Sequence, residues 1–167
     1  MMECPNLVFI NDQPVLLYCP QGLSKDVLDY GNIYPNMYKI GQSFDTNKAA
    51  MINPSPIQNL DYGFDCYATQ AFNAPDGRAL AVSWLGLPDV EYPSDRFDHQ
   101  GAFSLVKELS LKNGKLYQYP VPAIKDLRAE EQPFAALTES KNSYELELNL
   151  AADNEHEIVL FADKDGK

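Results

Sequence analysis

Glu3-Cys4-Pro5 sets a carboxylate beside a thiol and a proline, at the mouth of an apolar, strand-like run, Leu7-Val8-Phe9-Ile10. A carboxyl group held in such a place is suited to general acid work, giving a proton to a leaving oxygen. Taken by itself, Glu3 reads first as a solvated glutamate near a chain end, and only the surrounding motif reverses that. A second constellation is Asp61 with the block Tyr62-Gly63-Phe64-Asp65-Cys66-Tyr67-Ala68-Thr69-Gln70. On a strand, Asp65 and Tyr67 share one face, and a carboxylate beside an aromatic ring holds a sugar by hydrogen bonds and stacking. The same pair also fits a plain strand edge with a turn aspartate. Asp61 and Gln70 are weaker members of that block. Trp84, the one tryptophan, ends the run Leu80-Ala81-Val82-Ser83 and precedes Gly86-Leu87-Pro88. Its ring suits a pocket wall or a core anchor, and one ring can serve both. Cys4 is read as tuning the surroundings of Glu3. A nucleophilic role for it needs a paired base, and neither His99 nor His156 is visibly linked to it.

The elements that must position these residues are mostly strands. Pro14–Tyr18, Met37–Ile40, Tyr67–Phe72 and Leu80–Trp84 are short apolar runs bounded by turn residues. Asp12-Gln13 and Asp76-Gly77 read as hairpin turns. The clearest hairpin runs from Glu108 to Gln118 around Asn113-Gly114, a pair suited to a type I′ turn, where both central residues need positive φ. Asn53-Pro54-Ser55-Pro56 and the stretch from Pro88 to Ser94 are turn-rich separators. One helix is expected, Ala123 to Glu131, opened by Pro120-Val121-Pro122 and stopped by Pro133. This proline-bracketed stretch is the expected domain boundary. Beyond it, Tyr144 to Leu150 alternates apolar and polar as a strand should, and Glu157 to Ala162 suggests another. Many short strands at even spacing fit a sandwich, a barrel or a propeller, and no strict repeat chooses among them.

Composition narrows the function classes. The chain has 167 residues, 45% hydrophobic and 22% charged, which is globular rather than disordered. Its net charge of −11 argues against nucleic acid or an anionic membrane as partner, since both need a basic patch. No apolar run approaches the ~20 residues of a membrane span, and no signal peptide is seen. The three cysteines, Cys4, Cys19 and Cys66, match no zinc spacing and form a poor disulfide framework, so reduced thiols in a cytoplasmic protein are expected. Neither a metal nor an organic cofactor is expected.

Glu3-Cys4-Pro5, the Tyr62-to-Gln70 block and Ser83-Trp84-Leu85-Gly86-Leu87-Pro88 together resemble glycoside hydrolase family 32, over essentially the whole chain. That family joins a five-bladed β-propeller to a C-terminal β-sandwich. The resemblance therefore implies an all-β chain: the C-terminal blades of the propeller at 1–120, a linker with a short helix at 121–131, and the first strands of the sandwich at 132–167. It implies retaining hydrolysis of the fructosyl bond of sucrose 6-phosphate or sucrose, with Glu3 as acid/base and the sugar as small-molecule partner. It also implies a pocket role for Trp84. Asn6 stands where family members usually carry Asp, a departure read as minor. The family's nucleophile lies in an Asn-Asp-Pro-Asn-Gly type motif and its transition-state stabiliser in an Arg-Asp-Pro motif. Neither motif occurs in this sequence: Asn11-Asp12 continues with Gln13, and Arg96 is followed by Phe97. The expectation is thus an internal fragment holding the acid/base half, inactive alone and prone to self-association through exposed blade faces and strand edges. A non-catalytic carbohydrate-binding module or a structural β-protein is the alternative.

Overall fold

The first hairpin shows how the sequence builds its sheets. Strands β1 (Met2–Ile10) and β2 (Gln13–Pro20) pair antiparallel, with Val8 opposite Val15 and Leu7 opposite Leu16. The turn between them is Asn11-Asp12, both with positive φ (50° and 63°). It therefore lies one residue before the expected Asp12-Gln13. Asn and Asp tolerate left-handed backbone because their short side chains bond locally, whereas Gln has no such advantage, so Gln13 starts the strand instead. Asn113 and Gly114 take the expected type I′ geometry, with φ of 52° and 70°.

The computed structural model describes residues 1–133 and 144–159. The remaining strands are β3 (Met37–Ile40), β4 (Ser43–Asp45), β5 (Ala50–Ile52), β6 (Gln58–Asn59), β7 (Cys66–Asn73), β8 (Ala79–Leu85), β9 (Ala102–Phe103), β10 (Lys107–Lys112) and β11 (Lys115–Pro120). The described residues contain no α-helix, and the fold is all-β. One antiparallel sheet has the order β1-β2-β3-β6, and a second runs β11-β10-β8-β7 with β9 also paired to β8. The short β4–β5 hairpin is an excursion between β3 and β6; three-residue strands were too brief to stand out in the sequence.

Alternation decides what lies between the sheets. Val8, Ile10, Val15, Leu17, Tyr38 and Ile40 from the first sheet are buried against Ala79, Ala81 and Leu109 from the second. Their neighbours along each strand point away, as the two-residue period of a strand requires. A second, smaller cluster is formed by Cys19, Tyr67 and Leu87, with Cys4, Tyr34, Ala68, Trp84 and Val90 packed on it. This second cluster lies under Glu3's strand and organises the candidate site.

Met1–Lys125 forms one compact unit and the residues after it another. In place of the expected helix at Ala123 to Glu131 there is a 3₁₀ turn, Pro122–Leu127, with no buried residue. Short helices are marginal without an apolar face to pack, and this one has none. A further 3₁₀ turn at Pro93–Phe97 was not anticipated; its proline occupies the first turn, where the missing N–H costs nothing. Tyr144 to Leu150 is not a strand, although its alternation predicted one, and these residues are exposed. Alternation makes a strand only where a second strand supplies hydrogen bonds, and no strand among the described residues pairs with this segment. Of the other predicted strand, Glu157, Ile158 and Val159 are likewise not strand, and 160–162 lie outside the described residues.

Leu17 is fully buried between the sheets. Leu17→Ala is expected to lower the unfolding free energy of the chain by about 2–5 kcal/mol, the usual cost of a core cavity. Urea denaturation measures this, and a change below about 1 kcal/mol would mean that this core is not closed around Leu17.

Candidate functional site

Two β-bulges face each other where Glu3 and Tyr67 sit. Pairing of β1 with β2 slips between Glu3 and Asn6, and pairing of β7 with β8 slips between Tyr67 and Gln70. Cys4 and Ala68, the residues next after Glu3 and Tyr67, both take left-handed backbone, with φ of 46° and 48°. Such angles are uncommon outside glycine, and a bulge re-aims the side chains beside it. Glu3 and Tyr67 therefore each stand immediately before a kink in their own strand.

Asn6 fastens the two kinks. Its Nδ2 donates to the carbonyl of Cys4 (2.8 Å) and to the carbonyl of Thr69 (2.9 Å), and its Oδ1 accepts from the N–H of Ala71 (2.9 Å). One amide thus satisfies three backbone groups, the carbonyls of Cys4 and Thr69 within the bulges and the N–H of Ala71 just beyond the second. A carboxylate could accept from Ala71 but could not donate to either carbonyl. In this chain Asn6 is consequently no minor departure.

Glu3 is half-buried, and one of its oxygens is held twice. The Tyr67 hydroxyl donates to Glu3 Oε2 (2.7 Å), and Gln21 Nε2 donates to the same atom (2.9 Å). Gln21 Nε2 also donates to the Tyr67 hydroxyl, closing a three-membered ring of side chains. Glu3 Oε1 has no hydrogen-bond partner among the described residues. The Tyr67 phenol is buried and held above its ordinary titration range, first by burial and then by its bond to Glu3, so it remains a donor. Its ring stacks at a tilt on Tyr34, with centroids 5.5 Å apart.

Beneath this ring lies a buried polar chain. Asn36 Nδ2 donates to Thr69 Oγ1 (2.8 Å), which is 2.7 Å from Ser83 Oγ. The Cys19 thiol donates to Asn36 Oδ1 at 3.8 Å. Burial pushes the Cys19 thiol up to about 12, and burial also raises Cys66. Both therefore remain protonated near neutral pH and are structural, and all three cysteines are free.

The remaining sequence-predicted residues divide. Trp84 pairs across the strands with Tyr67 and packs on the same cluster, half-buried. A Cβ on either Gly86 or Gly101 would collide with its indole, so two glycines make room for this ring. Cys4 lies in the β1 bulge and on the cluster's edge. Asp65 is placed just before β7 rather than within it, and the Tyr92 hydroxyl donates to its Oδ2 at 3.4 Å. Asp61 caps the turn to Gly63 N (2.7 Å) and sits close enough to the Cys66 thiol to raise it further. Gln70 is exposed, with its amide on the carbonyl of Ala68 at 3.4 Å, and does not join the Glu3 ring. Gln21 and Tyr92 carried no signal in the sequence, and Asn6 stood out there only as a minor departure from the family motif. Nothing in a lone Gln or Asn marks it, since the contacts of Gln21 with Tyr67 and of Asn6 with Thr69 span 46 and 63 residues of sequence. No group of three or more His, Cys, Asp or Glu able to hold a metal exists among the described residues.

Asn6→Asp is expected to destabilise the chain by about 1–3 kcal/mol, because it removes two donors and sets a carboxylate against two carbonyl oxygens. Urea unfolding of both forms checks it; equal stabilities would show that the amide does not fasten the bulges.

Comparison with known proteins adds an independent line. Residues 1–120 match the model of the glycosyl hydrolases family 32 N-terminal domain. The chain is 66% identical over 166 residues to the sucrose-6-phosphate hydrolase of Streptococcus mutans serotype c, covering 99% of this chain and 35% of that protein. It is also similar to the solved sucrose-6-phosphate hydrolase of Lactobacillus gasseri, with 59% identity and a TM-score of 0.73 over 77% of this chain and 27% of that one. A mutant of the Bombyx mori family 32 β-fructofuranosidase, solved in complex with sucrose, matches at 33% identity and a TM-score of 0.70, covering 78% of this chain and 28% of that one. The chain spans about a third of the length of the curated relatives it matches. With its Glu-Cys-Pro bulge, its all-β sheets and this match across residues 1–120, the chain belongs to glycoside hydrolase family 32.

Proposed function

We propose that the full-length protein is a cytoplasmic hydrolase that cleaves the fructosyl bond of sucrose 6-phosphate, or of sucrose, with retention. Glu3 is its acid/base. The observation that carries this reading is the fixed carboxyl of Glu3, held at Oε2 by Tyr67 and Gln21 with Oε1 unengaged. Retaining hydrolysis needs one carboxyl to protonate the leaving oxygen and a second to attack the anomeric carbon. A carboxyl with one oxygen anchored and the other open suits the first task. Trp84, half-buried on the same cluster as Tyr67, offers a ring for the sugar, with Asp65 as a candidate hydroxyl partner, while the buried Tyr67 serves through its hydroxyl on Glu3. Cys4 would tune the acid's surroundings, while Asp61 shapes the turn ahead of the block. Relatives named for sucrose 6-phosphate support that substrate over plain sucrose.

In this reading the sheets β1-β2-β3-β6 and β7-β8-β10-β11 are two successive blades of the propeller. Each has a path of four antiparallel strands, the usual number in a blade of that fold, and the second also carries the two-residue β9 on β8. The linker at 121–131 then leads into the sandwich. Exposed apolar side chains such as Phe9, Phe72 and Tyr119 would be covered in the whole enzyme and would favour self-association of the chain by itself. The sequence motifs of the nucleophile and the stabiliser do not occur within these 167 residues, so the chain holds the acid half of the reaction.

Two outcomes are expected. In the full-length protein, Glu3→Gln lowers kcat for sucrose 6-phosphate by roughly 10²–10⁴-fold, the size of a general acid–base contribution; steady-state kinetics measure it, and unchanged turnover would remove Glu3 from the role. The purified 167-residue chain releases no fructose from sucrose or its 6-phosphate, because the attacking carboxylate is missing. Sustained release proportional to chain concentration would contradict this.

A further inference from the structure

Gln21 lies just past β2, in a turn followed by Gly22 with φ of 75°. Its backbone N–H bonds the carbonyl of Met1 at 2.7 Å, which ties the turn to the start of β1. The side chain is left to reach the acid. A primary amide carries two N–H donors on one nitrogen. Here one goes to Glu3 Oε2 and the other to the Tyr67 hydroxyl. Tyr67, accepting from Gln21, gives its only proton to Glu3 Oε2 at 2.7 Å. With Glu3 ionised, the three bonds admit one arrangement of hydrogens. If Gln21 turned its carbonyl inward, an oxygen lone pair would face a carboxylate oxygen, and two bonds would be lost.

We propose that Gln21 is a positioning residue that decides which oxygen of Glu3 carries the transferable proton. Oε2 is occupied by two donors, so the proton of the acid form resides on Oε1. From Oε1 it passes to the glycosidic oxygen as the bond to the anomeric carbon breaks and the attacking carboxylate of the retaining mechanism forms its own bond there. In the second half Oε1 takes a proton back from the water that attacks that intermediate. Gln21 touches neither substrate nor reacting atom. It acts by holding Oε2 and by keeping the Tyr67 hydroxyl pointed at it. This inference rests on Glu3 being the acid/base.

The groups that surround the carboxyl leave this assignment to hydrogen bonds rather than to changing charge. Cys4 is on its own strand, Cys19 faces it from β2 and Tyr67 from β7. Cys19 and Tyr67 are both raised by burial and remain neutral through the neutral range, so neither alters the field at Glu3 as pH changes. Removing a donor from a carboxylate weakens its ionised form.

The test uses the full-length protein with sucrose 6-phosphate. Gln21→Met keeps the length of the side chain and removes both N–H donors. Expected are a kcat lowered about tenfold to a hundredfold with KM within about twofold, since misaligned catalytic groups cost on that order, and an alkaline limb of the rate profile moved to higher pH. A residue that merely supports the fold would lower activity in proportion to folded protein and leave the profile in place. An unmoved limb in folded Gln21→Met overturns the proposal. If that variant does not fold, the wild-type protein decides: the side-chain amide resonances of Gln21 shift with the same titration that governs the alkaline limb, and resonances that ignore that titration overturn it. Glu3→Gln, run alongside, separates the two levels. Full activity in Glu3→Gln removes the acid/base reading itself, whereas inactive Glu3→Gln with a normal Gln21→Met profile removes only the role of Gln21.

Discussion

The amide of Asn6 is the constraint on which the site depends. Glu3 and Tyr67 belong to different sheets and stand 64 residues apart, yet they meet at 2.7 Å. They do so because β1 and β7 each kink immediately after them, at Cys4 and Ala68, and because one side chain bonds backbone groups from both kinks. A non-glycine residue in left-handed backbone costs on the order of 1 kcal/mol or more, and two of them persist only where the surroundings overdetermine them. Strain of this kind gathers at functional sites. Here it aims a carboxyl and a phenol at one another.

Below the kinks the molecule spends its polar groups in pairs. Asn36, Thr69, Ser83 and Cys19 are buried, and each finds a partner. Such a chain rigidifies the floor under Tyr67, because a buried polar group left unmet costs more than the bond is worth. Burial also holds the Cys19 and Cys66 thiols and the Tyr67 phenol neutral. The cluster is thereby a neutral, packed platform. The carboxyl of Glu3 is at its edge, half-buried, with one oxygen tied down and the other open. That asymmetry is what proton transfer in a fixed direction needs.

Much of this frame was legible in the residues. Asn113-Gly114, the alternation along β2 and β8, and the apolar runs at Met37 and Leu80 name their strands because each obeys a local rule of period or turn geometry. Glu3, Tyr67 and Trp84 were legible as candidates because they sit in blocks that resemble a family. What escaped was long-range or needed a partner. Gln21 and Asn6 are ordinary polar residues whose meaning comes from atoms on other strands. Gln70 was placed at the site by proximity in sequence, but the bulge after Tyr67 changes the register and leaves it exposed. Tyr144 to Leu150 carries strand alternation without being a strand, since period two describes a side-chain pattern and hydrogen bonds come from a neighbour.

The most direct test of the account is a crystal structure of the full-length protein with an unreactive analogue of sucrose 6-phosphate. The account predicts the glycosidic oxygen within about 2.6–3.2 Å of Glu3 Oε1, the reach of a general acid, while Tyr67 and Gln21 remain on Oε2. A leaving oxygen that faces a different carboxyl, or that meets Oε2 with the Tyr67 and Gln21 bonds broken, would contradict it.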